Sequence, residues 1–259
     1  KLKGENDVTI VDLPGIYSLS PYTLEEVVAR DYLIDGAPNA ILNIVDGSNL
    51  ERNLYLSTQA IELGIPTVIA VNMMDVVEKN GDSIDLAALS EKMGVPVVAI
   101  SALKGKGLDE MRTKLLEAAR SGAAPVRAHR FSAEVEEALS EIEAKLPADV
   151  PAHVRRFFAV KVFERDEKIA GHMSAVPDVD GLIAKLEKEL DDDAESIIVN
   201  ERYNYITSII DSCLTHASAQ KESVSDKIDR VVANRFLALP IFVVVMFLVY
   251  FLSITTIGT

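Results

Sequence analysis

Short β-branched runs alternate with helical patterns over residues 1 to 121, and this alternation constrains the fold more tightly than any other feature. Val8-Thr9-Ile10-Val11, Ala40-Ile41-Leu42-Asn43-Ile44-Val45, Thr67-Val68-Ile69-Ala70-Val71 and Pro96-Val97-Val98-Ala99-Ile100 are each short, apolar and bounded by turn residues. Strands buried on both faces read this way. Helical stretches occupy Leu24–Ile34, Leu50–Leu63, Leu86–Met93 and Leu108–Arg120. The order predicts an α/β fold, a parallel sheet with helices on both faces. Ligands of such sheets bind outside the carboxyl ends of the strands.

After Ser121-Gly122-Ala123-Ala124-Pro125 the alternation stops. Helical periodicity alone continues from Phe131 to about Ala219, punctuated by Pro147, Pro151 and Pro177, and predicts an all-helical domain. A third region starts with Lys221, Lys227, Arg230 and Arg235, followed by the 24 charge-free residues Phe236–Thr259. About 20 apolar residues span a bilayer core, so this run reads as a transmembrane helix. Its basic flank places residues 1–235 on the cytoplasmic side. The expected division is therefore 1–121, 122–220 and 221–259. The chain begins at Lys1 rather than Met and stops straight after the apolar run, which suggests an internal piece of a longer protein.

A net charge of −14 disfavours a nucleic-acid partner, because an acidic surface repels phosphate backbones. The single Cys213 excludes an internal disulfide framework and fits a reducing compartment. Cys213 and His216 have zinc-like local spacing but no second pair, and the acidic run Glu187–Glu195 reads as a solvated helix face and turn.

Three motifs follow three of the expected strands. Asp12-Leu13-Pro14-Gly15 ends the first. A carboxylate there reaches Mg²⁺ through a water in nucleotide hydrolases, and the glycine lets a backbone N–H approach a γ-phosphate. Asn72-Met73-Met74-Asp75 follows Thr67–Val71. Asp75 can accept from guanine N1–H and the exocyclic amine, a donor pair that adenine lacks, while Asn72 braces the loops around the base. Ser101-Ala102-Leu103-Lys104-Gly105 follows Pro96–Ile100, and its small residues let backbone N–H groups reach guanine O6. Two decoys match by pattern alone. Asn43-Ile44-Val45-Asp46 has its Asn inside a strand, and Asp178-Val179-Asp180-Gly181 follows no strand. No G-x-x-x-x-G-K-[ST] phosphate cradle occurs, so residues 1–259 alone are expected to bind GTP poorly and to be inactive as an enzyme.

The stretch Asp12-Leu13-Pro14-Gly15-Ile16-Tyr17-Ser18-Leu19-Ser20-Pro21-Tyr22 resembles the switch region of bacterial ferrous iron transporters of the FeoB type. So do Asn49-Leu50-Glu51-Arg52-Asn53-Leu54-Tyr55-Leu56 and Asn72-Met73-Met74-Asp75. The resemblance extends over nearly the whole chain, through the helical domain and basic linker to Pro240–Phe242 at the start of the apolar run. It implies a truncated P-loop GTPase-like domain, a helical domain favouring the GDP-bound state, and the start of a membrane domain that passes Fe²⁺ inward. The implied ligands are GTP or GDP at Asp12, Gly15, Asn72, Met73, Asp75, Ser101, Ala102 and Leu103, with Mg²⁺ at Asp12. The implied setting is the bacterial inner membrane, with lipid, a second copy and a small accessory protein as partners. Ile16 stands where many GTPases carry a water-orienting Gln, so no hydrolytic residue is assigned. Leu103 stands where a Lys often stacks on the base. The alternative is a membrane-associated regulatory GTPase without transport.

Overall fold

The computed structural model describes residues 7–20, 23–126, 129–216 and 238–253. It divides into two units, Lys1–His216 and Ala217–Thr259. In the first unit, β1 (Ile41–Asp46), β2 (Thr67–Asn72) and β4 (Val97–Ala99) form a parallel sheet in the order β1-β2-β4. The register aligns Asp46 with Asn72 and Val71 with Ala99, so the three strands end along one edge.

Amphipathic helices cover both faces, as the alternation requires. On one face Val45, Ile69 and Val71 pack with Leu54 and Ile61 of α2 (Leu50–Glu62), Val77 of α3 (Met74–Asn80) and Leu89 of α4 (Leu86–Met93). On the other, Val68, Ala70, Val98 and Ile100 pack against Met111, Leu115 and Ala118 of α5 (Leu108–Ser121). With both faces covered, β2 is buried along its length, which accounts for its unbroken apolar run.

Val8–Val11, expected as a strand, is not one: residues 8–17 run without regular structure, and Ile10 and Val11 are about half exposed. A β-branched run becomes a strand only through a ladder partner, and no described residue supplies one. The first helix, α1 (Leu24–Asp35), starts at a capping box in which Thr23 and Glu26 exchange side-chain-to-backbone hydrogen bonds.

Helices α6 (Ala133–Lys145), α7 (Arg155–Phe163), α8 (Asp180–Leu190) and α9 (Ala194–Cys213) follow. Their core includes Phe157, Phe158, Ile183 and Ile198, and it continues into Leu19, Leu33, Leu63 and Ile65 of the preceding part. Ile206, Ile209 and Cys213 of α9 join the sheet core beside α2 and α4. The stretch expected to be wholly helical also contains β5 (Leu214–Thr215), antiparallel to β3 (Ser83–Ile84).

In the second unit, α10 (Ala238–Leu252) has 15 residues, all apolar except the tyrosine hydroxyl of Tyr250. At 1.5 Å per residue it is about 22 Å long, short of a roughly 30 Å bilayer core. No helix among the described residues is long and apolar enough to cross a membrane. The expected 24-residue helix is therefore not found, and only its middle is described. Lys221, Lys227, Arg230, Arg235, Phe236 and residues 254–259 lie outside the described residues, as do Pro21 and Tyr22 of the switch-like stretch.

Candidate nucleotide site

The carboxyl edge of the sheet gathers Asn72, Met73, Asp75, Ser101 and Ala102 into one hydrogen-bonded cluster. Asn72 is the last residue of β2, and its Oδ1 accepts from the Ala102 backbone N–H at 3.0 Å. Met73 takes a left-handed conformation (φ 61°) that turns the chain from β2 into α3. Asp75 then falls in the first turn of α3, where the positive end of the helix dipole favours a carboxylate. Its Oδ1 accepts from the Ser101 hydroxyl at 2.7 Å, and its Oδ2 pairs with Lys104 Nζ at 3.3 Å. The Ser101 hydrogen bond, together with Lys104, holds the Asp75 carboxyl below the usual range, so it is ionised at neutral pH.

The loop Ser101–Gly107 is shaped by its glycines. Gly105 and Gly107 adopt φ of 65° and 75°, and Ser101 bridges Lys106. A Cβ on Gly107 would lie 2.0 Å from the Ala99 carbonyl oxygen, so this close approach requires glycine. Leu103 projects outward, 91% exposed.

Asp12 and Gly15 are not drawn into this cluster. Both lie exposed on the unstructured stretch, and no hydrogen bond among the described residues joins them to Asn72, Asp75 or Ser101. Asp12 offers a single hard carboxylate, which suits a Mg²⁺ that keeps most of its water shell. Among the described residues no group of three His, Cys, Asp or Glu is placed to hold a metal. Cys213 is buried and His216 is exposed beside Asp82. The acidic run makes local contacts, with Glu187 pairing Arg165 and Asp193 capping α9.

The decoys have structural duties. Asn43 is buried and accepts from the Ser57 hydroxyl at 2.6 Å, whereas Asp46 caps the short turn at Ser48. Asp180 pairs with Arg165 at 2.8 Å.

Directly after Gly15 the chain is held by residues that the motifs do not reveal. Gln59 of α2 is fully buried, and its Oε1 accepts from the Leu19 N–H at 2.6 Å and from the Ser18 hydroxyl at 3.2 Å. Lys161 of α7, also fully buried, donates to the Ser20 hydroxyl at 2.8 Å and pairs with Glu164. Glu164 pairs in turn with Arg202 of α9, and Arg202 with Glu62 of α2. Burial alone would raise the Glu164 pKa, but Lys161 and Arg202 overcome it and hold the group ionised. A lone Lys within the apolar run Phe157–Phe163 was the available sequence signal; Gln59 had none beyond being polar on a buried helix face.

A parallel sheet with a hydrogen-bonded polar cluster at its carboxyl edge, joined to a helical bundle, defines a GTPase-like G domain with an attached helical domain. The comparisons agree. Residues 1–115 match the model for ferrous iron transport protein B, and residues 131–215 match that for the FeoB cytosolic helical domain. A GDP-bound point mutant of the S. thermophilus FeoB G-domain is 42% identical over 79% of this chain and 80% of its own, with a TM-score of 0.75. The mGMPPNP-bound NFeoB from S. thermophilus is 42% identical over 80% of each chain, with a TM-score of 0.72. The Fe(2+) transporter FeoB of Escherichia coli is 36% identical over 96% of this chain and 33% of its own length. A Porphyromonas gingivalis Fe(2+) transport protein A/FeoB fusion protein is 36% identical over 95% and 31%. The chain belongs to the FeoB family of ferrous iron transport proteins, and it spans about a third of the length of the curated relatives it matches.

Proposed function

We propose that this chain is the guanine-nucleotide-reading cytoplasmic part of a ferrous iron uptake transporter, in which GTP binding and hydrolysis gate Fe²⁺ passage. The observation that carries it is the Asn72, Asp75, Ser101 and Ala102 cluster, which presents an ionised carboxylate at the strand ends. Relatives solved with GDP and mGMPPNP support the ligand class. In this reading Asp75 accepts from guanine N1–H and the exocyclic amine, Asn72 and Met73 shape the loop, and Ser101, Ala102 and Leu103 line the base. Gly15 meets the γ-phosphate through its backbone N–H. Asp12 would hold Mg²⁺ through water, and the ion would supply charge neutralisation at the phosphates.

Nucleotide state would reach the helical domain through Ser18–Ser20, which Gln59 and Lys161 grip from α2 and α7. Residues 1–121 would form the nucleotide part, 122–220 the helical regulator, and 221–259 the basic linker and first membrane span. The apolar α10 and the relatives' role as Fe(2+) transporters support a bacterial inner-membrane setting with bound lipid and residues 1–235 in the cytoplasm. The fusion relative supports a small accessory protein as partner.

The test is Asp75→Asn in the full-length protein. Xanthine carries a carbonyl where guanine carries its amine, so an asparagine amide suits it better. Guanine affinity should fall roughly 10- to 150-fold, the loss of one hydrogen bond to a charged group at about 1.5–3 kcal/mol, with preference moving toward xanthine nucleotides. An unchanged preference for GTP over XTP would sink the base-reading assignment.

A further inference from the structure

We infer that Lys104 is a positioning residue for the base-reading carboxylate, and that with Ser101 it fixes Asp75 in the one orientation that accepts both guanine donors. This rests on the reading of Asp75 proposed above. A carboxylate has about four acceptor sites, two on each oxygen. Ser101 takes one on Oδ1 and Lys104 takes one on Oδ2, so these two side chains leave a site on each oxygen, and the residue's own backbone N–H adds only the weakest of the favourable contacts. Two free sites, one per oxygen, is what N1–H and the exocyclic amine of guanine demand.

The loop is built to return the lysine to this place. The Lys104 N–H donates to the Ser101 carbonyl, and Gly105 at φ 65° reverses the chain immediately after it. The same turn sends Leu103 into solvent, so no cation stands at the Leu103 position, and the charge is supplied one residue later from the side of the carboxylate. Held by Ser101 alone, the carboxylate could rock about its Cβ–Cγ bond. It would still meet one guanine donor but not both together. Lys104 is half exposed, so its effect is modest and sensitive to salt.

The experiment measures GDP and IDP affinity of the full-length protein at low salt and near 1 M salt, for wild type, Lys104→Met, Lys104→Arg and Asp75→Asn. Inosine nucleotides keep N1–H and lack the amine. Lys104→Met should weaken GDP binding roughly two- to five-fold at low salt, leave IDP nearly unchanged and so narrow the GDP/IDP preference. Lys104→Arg should restore the preference, and high salt should erase the difference between Met and wild type. An exposed side chain with only a structural role would move melting temperature rather than this ratio. The inference is overturned if Lys104→Met leaves the ratio at its wild-type value, or if it tightens GDP binding, which would make Lys104 a competitor of the base. If Asp75→Asn also changes nothing, the base-reading assignment itself fails; if Asp75→Asn acts and Lys104→Met does not, only the role of Lys104 falls.

Discussion

Replacing Gln59 by Leu tests whether the segment after Gly15 is held by one buried carboxamide. Gln59 and Leu19 are both at 0% exposure, and the Leu19 N–H donates to Gln59 Oε1 at 2.6 Å. Leucine is close in volume but offers no acceptor, so the amide is left buried and unpaired. That costs about 1–3 kcal/mol, and the Ser18 hydroxyl loses the same partner. The segment can relieve the cost by opening locally, because residues 8–17 before it carry no regular structure. At 1.4 kcal/mol per factor of ten, the Leu19 amide should lose roughly 5- to 150-fold of its hydrogen-exchange protection. The assay is hydrogen–deuterium exchange read on peptides covering Ser18–Ser20, with β2 as internal reference. Unchanged exchange at Leu19 in Gln59→Leu would refute the reasoning, since packing rather than the carboxamide would then hold the segment. A uniform rise that includes β2 would refute it equally, because the loss would be global.

Two further outcomes follow from the same geometry. Burial, with Arg202 and Arg156 nearby, pushes His129 down from 6.5 to about 4, so the folded state binds its proton less readily than the unfolded state. Stability from this group is therefore complete above pH 6.5 and falls as pH drops toward 4, by about 2 kcal/mol at pH 5 and at most about 3 kcal/mol in all. Denaturant midpoints at pH 7 and 5 should show this loss in wild type and a smaller one in His129→Phe, and equal losses in both would reject it. Gly107→Ala puts a Cβ 2.0 Å from the Ala99 carbonyl oxygen at a φ of 75°, so about 1–3 kcal/mol of strain should lower the melting temperature and weaken guanine nucleotide binding. Gly122→Ala, also at positive φ but with open space around it, separates the clash from the backbone preference.

How legible the molecule was depends on what kind of contact each element needs. β1, β2 and β4 were readable because each carries its own apolar, β-branched run, with β2 buried along its length and β1 and β4 buried in part. Val8–Val11 has the same composition and is not a strand, because pairing is a property of two segments and composition describes only one. β5 was invisible for a related reason: two residues, Leu214 and Thr215, have no period, and their pairing with Ser83 and Ile84 spans about 130 positions. Asn72 was separable from Asn43 by position: Asn72 closes its strand, whereas Asn43, inside β1, turns inward to Ser57. Lys104, Gln59 and Lys161 escaped because each acts through a partner distant in sequence, and no local pattern encodes such a partner.

The two halves of the candidate site differ in how they are held, and on the proposed reading that difference suits a switch. The base-reading half is tied at both ends: Asn72 to Ala102, Asp75 to Ser101, with β2 and β4 fixed by ladder bonds behind them. Moving it would break several bonds together, so it can contribute affinity in either nucleotide state. Among the described residues the Asp12–Gly15 half has no such hydrogen-bonded ties, yet three residues beyond Gly15 the chain is gripped by Gln59 and then by Lys161. A γ-phosphate that drew Gly15 inward would pull on that grip. Lys161 carries its charge into a largely buried network with Glu164, Arg202 and Glu62, where removing one partner strands another and costs about 3–5 kcal/mol. Such a network favours a few discrete arrangements over gradual displacement. The pull on Ser20 would therefore be transmitted to α7 and α9 as a step, and the strength of the Ser20–Lys161 contact sets how much phosphate binding energy that step consumes.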